Sequence, residues 1–214
     1  MTNQRIPRGM SSSSCIILLA VLGIFMPLRS ASPEPYAWPG ESWSTAIDLT
    51  YLNPSEWAGN LSGAFWNPQS RSLWLADNSG YFTELKEDGL GGFVMERDYS
   101  PSGKPDLEGI TQADLGADRI YLMCERENYI REFAISTGAE TKYWNLTPTV
   151  GNLGNDGTEG IAYIPNSWLA ASGFRDGVGN LYPESVHGAQ GLGGIMLVAV
   201  QDTGGAHKGY IYPA

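Results

Sequence analysis

A short phrase recurs along this chain. Asp106-Leu107-Glu108-Gly109-Ile110 and Gly157-Thr158-Glu159-Gly160-Ile161 each open a block of strand-like sequence, and a degenerate copy opens at Ser62-Gly63-Ala64. The aligned positions Ser62, Glu108 and Glu159 stand 46 and 51 residues apart, in the range of roughly 40 to 50 residues at which β-propeller blades repeat. A unit of that length supplies four short strands but cannot bury an apolar face alone, so neighbouring copies must stack. The expected fold is all-β, built of propeller blades of four antiparallel strands.

Within each copy the same order of elements recurs. Copy two predicts strands over 109–112, 119–124, 129–135 and 140–144, with the breakers Asp114-Leu115-Gly116-Ala117-Asp118 between the first two. Copy one predicts strands over 64–66, 72–76, 82–85 and 92–99, turning first at Asn67-Pro68-Gln69-Ser70. Copy three begins at 161–164 and then carries an insertion over 165–193, read as a loop, before a strand over 195–200. That loop is longer than structureless loops usually are inside compact domains, so a use for it and simple disorder both stand open. Helical periodicity is nearly absent.

Strand counting gives two full blades, most of a third and one leading strand near 45–49. Propellers need at least about four blades to close. The expectation is an incomplete ring of about three blades, a partial reading frame in which strand 45–49 would latch a last blade by analogy with closed rings. Its open blade edges would favour self-association.

Residues 1–32 read as a signal peptide. Arg5 and Arg8 precede an apolar run over 15–26, followed by Pro27 and the small residues Ser30, Ala31 and Ser32. The run is shorter than the roughly 20 residues that span a bilayer. The expected protein is therefore secreted or periplasmic and not an integral membrane protein once the leader is removed, with a linker over 33–42 and the partial propeller over 43–214. Loss of Arg5, Arg8 and Arg29 leaves 10 basic against 23 acidic side chains, a balance of −13. Such a field disfavours nucleic acid and suits cations or plain solubility. Cys124 then stands alone after an apolar run and reads as a buried, inert thiol, so packing or metal must stabilise the fold.

The first strand of a propeller blade lines the central channel, so Glu108 and Glu159 are expected at one rim, with Asp106, Asn155 and Asp156 close in sequence. Carboxylates gathered around an axis repel one another, and a hard cation such as Ca²⁺, with about six to eight oxygen ligands, relieves that repulsion. The alternative is that both glutamates accept backbone hydrogen bonds in their own turns while each following glycine admits a crowded strand. Asn78, Glu125 and Gln201 align after the second strand of each copy, where a turn requires polar residues and where they could also face the same opening. No Gly-x-Ser-x-Gly elbow, His-Glu-x-x-His or Gly-rich phosphate loop occurs, and the two histidines, His187 and His207, lie in or beside loops.

The two Glu-Gly-Ile openings, Ser62-Gly63-Ala64-Phe65-Trp66-Asn67-Pro68 and Cys124-Glu125-Arg126-Glu127-Asn128 together resemble the SdiA-regulated propeller family and, more distantly, the phytase-like and esterase-like propellers. The resemblance covers about residues 43–212. It implies an exported β-propeller that binds calcium at acidic channel positions, Glu108, Glu159 and Glu125 matching the family's acidic residues, with no reaction assigned. Ser62, the insertion and the early stop depart from the pattern. Three readings of function follow: a calcium-binding module with a binding or scaffold role toward a small molecule or protein; a calcium-dependent phosphoric ester hydrolase; or a truncated fragment without independent function.

Overall fold

A computed structural model describes residues 48–53, 57, 60–101, 103, 106–151, 157–175, 179, 181 and 192–201, with the backbone of 208–213. They fall within one compact unit, Ala46–Ala214. The signal-peptide and linker readings, Asn155 and Asp156 expected near the rim, and most of the insertion lie outside the described residues.

Strand character follows burial. β1 (Leu61–Asn67), β2 (Ser72–Asp77), β3 (Phe82–Glu87) and β4 (Phe93–Tyr99) pair in that order as one antiparallel sheet. β5 (Leu107–Thr111), β6 (Ile120–Cys124), β7 (Tyr129–Phe133) and β8 (Glu140–Asn145) repeat the arrangement. β9 (Thr158–Pro165), β10 (Gly194–Val200) and β11 (Lys208–Pro213) form a third, three-stranded sheet with β10 central. All five residues of β6 are buried, whereas β8 is mostly exposed. A continuous apolar run marks a strand covered on both faces, and β8 is the wet outer edge of its blade.

The period-2 alternation of β6 shows how the sheets stack. Ile120, Leu122 and Cys124 face blade one and pack with Trp74, Ala76 and Phe82. Tyr121 and Met123 face the other way and pack with Met196 and Val198 of blade three. Phe82 lies 5.1 Å, ring to ring, from Phe133 across the first interface. Each such side chain removed from water stabilises by about 1.5–3 kcal/mol, so the blades are joined by their faces. This is the β-propeller arrangement.

Two expectations need correction. Leu49, at the described end of the leading strand expected over 45–49, opens a 3-10 turn, Leu49–Tyr51, capped by Asp48, whose Oδ1 accepts from Thr50 N at 2.9 Å. Leu49, Leu52 and Trp57 then pack against Leu75 and Leu85 on the outer face of blade one. The insertion does not begin as loop: α2 (Asn166–Ser172) packs on β9 and β10 through buried Leu169 and ends at Gly173 in the left-handed region at φ 64. Another short helix, α1 (Thr147–Val150), follows β8. Neither is long enough to show a periodic stripe. Among the described residues no helix is long and apolar enough to cross a membrane.

Candidate functional site

The recurrent step is a β-bulge in all three blades. The β1–β2 register shifts between Leu61 and Gly63, and the β5–β6 register between Leu107 and Gly109. In blade three Thr158 pairs with Val200 and Gly160 with Ala199. The extra residues are therefore Ser62, Glu108 and Glu159, each left out of its ladder and re-aimed. The strands begin earlier than the sequence suggests because the ladder continues through the bulge.

The following glycines set the spacing between blades. A Cβ on Gly63 would lie 3.0 Å from Gly109 Cα, and one on Gly109 would lie 2.7 Å from Ile161 N and 2.9 Å from Gly160 Cα. The first strands of three blades thus touch backbone to backbone at one level, and the three bulged side chains start from neighbouring points.

Glu125 enters from the end of β6. Its N–H donates to Asp106 O at 2.8 Å, its carbonyl accepts from Asn128 N at 3.0 Å, and its Oε1 accepts from Gly157 N at 3.4 Å. The turn depends on Asn128 at φ 53, a left-handed conformation that asparagine tolerates. It also depends on Gly157, where a Cβ would fall 2.7 Å from Glu125 O. Glu125 is 6% exposed.

Carboxylate oxygens of Asp106, Glu108 and Glu125 lie within 4.8 Å of one another. Asn78, at the end of β2, reaches the same spot from blade one: its carboxamide nitrogen donates to Asp106 Oδ1 at 2.8 Å and to Glu108 Oε1. Arg126, largely exposed, pairs with Asp106 at 3.2 Å. Burial raises the Glu108 carboxyl above its ordinary range; the Ser62 hydroxyl opposes this, and the charges of Glu125 and Asp106 add to it. Glu159 is pushed up to about 7, first by burial, then by the charge of Glu125 and a hydrogen bond with it, then by Glu108 and Asp106. Among the described residues its buried Oε1 has no hydrogen-bond partner.

Four of the five candidate residues named from sequence, Asp106, Glu108, Glu125 and Glu159, thus gather at one rim, and Asp156 lies outside the described residues. Ser62, a departure from the acidic pattern, supports Glu108 by hydrogen bonding. Asn78 belongs to the site as well as to its turn, and its alignment with Glu125 was the signal for it. Gln201 is exposed and donates its backbone N–H to Gly157 O at 2.9 Å. Cys124 is fully buried and its thiol is pushed up to about 12 by burial, so it is inert. The donor set at the rim is all oxygen, the chemistry of hard cations.

No family model matches the sequence. No curated protein matches it either. Among solved structures it is similar to the β-propeller domain of Myceliophteria thermophila Cps50 (Swd1), with a TM-score of 0.44 and 7% identity over 72% of this chain and 40% of that one. It is also similar to Chaetomium thermophilum Sqt1 bound to the N-terminus of a ribosomal protein, with a TM-score of 0.41 and 11% identity over 67% of this chain and 29% of that one. Saccharomyces cerevisiae Sqt1 gives a TM-score of 0.39 and 9% identity over 72% and 31%. The likeness is one of fold. The chain spans less than half the length of each of these neighbours.

Proposed function

We propose that this chain is an exported β-propeller module that binds calcium at the rim where its inner strands begin, in a binding or scaffold role. The observation that carries the reading is the convergence of Asp106, Glu108 and Glu125 oxygens within 4.8 Å. Like charges so close are tolerated by taking up protons, by sharing a cation or, as at Asp106, by an ion pair, and the largely exposed Arg126 reaches Asp106 alone. Glu159 beside them shows the strain in its raised affinity for a proton. Ca²⁺ takes carboxylates in one- or two-oxygen mode together with amide carbonyls and water. Asn78, with its carboxamide turned over, would offer such a carbonyl. The resemblance to SdiA-regulated propellers supports the same metal at Glu108, Glu125 and Glu159, and the leader-like sequence of residues 1–32 supports export.

Calorimetric titration of the purified protein with Ca²⁺ tests this. The double variant E108Q/E159Q keeps side-chain size while removing two charges, and its affinity should fall at least about tenfold, or ~1.4 kcal/mol. Unchanged affinity would sink the proposal.

A further inference from the structure

At the other ends of the inner strands, where β1 and β5 run into their turns, blades one and two part around a cleft of about 300 Å³. That volume is at the small end of ligand pockets. Its charged wall is built on Glu84 of β3, which is 3% exposed. Glu84 accepts from Ser72 Oγ at 2.6 Å, has Lys86 Nζ at 3.0 Å and pairs with Arg97 Nη1. Burial works to raise its carboxyl, yet these three donors together hold it below the ordinary range, so it is ionised.

Two carboxylates, Glu84 and Asp118, therefore share the cleft with two cations, Lys86 and Arg97. Asp118, at the edge of the cleft, has both oxygens engaged by Ser136, whose N–H and hydroxyl each donate at 2.6 Å. Among the described residues Arg97 donates only to Glu84, which leaves most of its five N–H groups unused. The facing wall is the turn after β5. It is fixed by Asn67 Nδ2, which donates to Gln112 Oε1 at 2.7 Å and to Leu115 O at 2.9 Å. Leu115 and Ile135 make that side apolar.

We propose that this cleft binds a small organic carboxylate, its charged end on Arg97 and Lys86 and its apolar body against Leu115 and Ile135. The planar guanidinium fork matches a carboxylate. Lys86 and Arg97 balance Glu84 and Asp118, so a monoanion adds one charge to a neutral cleft whereas a phosphate dianion would add two beside Glu84 and Asp118. The carboxylate could belong to a free acid or to a peptide C-terminus.

Side-chain ¹⁵N spectra of the whole protein, followed at Arg97 Nε and the Gln112 amide, test the proposal with sodium benzoate and with N-acetylphenylalanine at constant ionic strength. Saturable shifts are expected, and the tighter of the two probes identifies free acid or peptide end as the source. R97Q should weaken binding at least about tenfold. Because R97Q also removes a partner of buried Glu84, Ala117→Trp provides a second test: it fills the cleft, leaves the ion pairs intact and should abolish the saturable shifts. Shifts that grow linearly, that chloride reproduces, or that survive in Ala117→Trp would overturn the proposal. E108Q/E159Q should bind both probes like the wild type, so failure of the calcium reading leaves this one standing.

Discussion

Glu159 carries the electrostatic conflict of the rim in one side chain. Its folded pKa of about 7 stands above the ordinary 4.5. Between those values the folded chain holds a proton that the unfolded chain has released. The stability linked to this proton is present below about pH 4.5 and is lost as pH rises through about 7. Glu84 has the opposite sign. Held below the ordinary range despite its burial, it contributes stability above that range and loses it as pH falls through its own lower value. The two windows do not overlap, so a pH series separates them. In chelator, the melting temperature should fall from pH 4.5 to 7, and E159Q should lessen that fall, the remainder belonging to Glu108, which is raised in the same sense, while leaving the loss at lower pH untouched. An equal slope in E159Q would show that Glu159 is not the group responsible.

At the scale of the strand, the recurrent step works because a bulge and a glycine act together. The bulge turns Ser62, Glu108 or Glu159 out of its ladder, and the glycine lets the next blade approach. The same substitution should therefore have different effects at two copies. Gly109→Ala would force a Cβ to within 2.7 Å of Ile161 N and 2.9 Å of Gly160 Cα, backbone atoms that cannot swing aside. Overpacking of that kind costs about 1–3 kcal/mol. Among the described residues Gly160→Ala meets only Ala199 Cβ at an ordinary 3.7 Å and should be neutral or gain up to about 1 kcal/mol through the unfolded state. Urea midpoints compare the two, and equal losses would refute the packing account. The repeat, the strand order and four of the rim carboxylates were legible in the sequence because spacing and apolar runs are local signals. The bulges were not, because a register shift exists only between paired strands. The alignment of Asn78 with Glu125 leaves a turn role and a rim role both open, and only the packing of β2 beside β5 brings its side chain to the rim. The seven residues of α2 are too few for a periodic signal, and the turn at Leu49 is held by packing on Leu75 and Leu85 that no local pattern announces.

Across the described residues, the rim cluster draws a side chain from each of the three sheets: Asn78 from the first, Asp106, Glu108 and Glu125 from the second, Glu159 from the third. The apolar interfaces are pairwise, since β6 gives one face to blade one and the other to blade three. In such stacked architectures stability is close to a sum of blade and neighbour terms, and cooperativity weakens where a single interface is weak. A cation at the rim would couple all three blades at once, because its ligands assemble only when both interfaces are formed. Ligand bound to the native state alone stabilises it by about 2.7 kcal/mol at one hundred times Kd. Calcium added to chelator-treated protein should therefore raise the melting temperature and make unfolding a single sharp transition when blade one and blade three are followed separately, for instance by labels on Arg71 and Trp168. In E108Q/E159Q both effects should vanish while the apolar interfaces remain. If the two probes melt apart with calcium present, or the midpoint does not move, the rim does not join the blades through a metal. Packing at the faces of β6 would then be what holds them together.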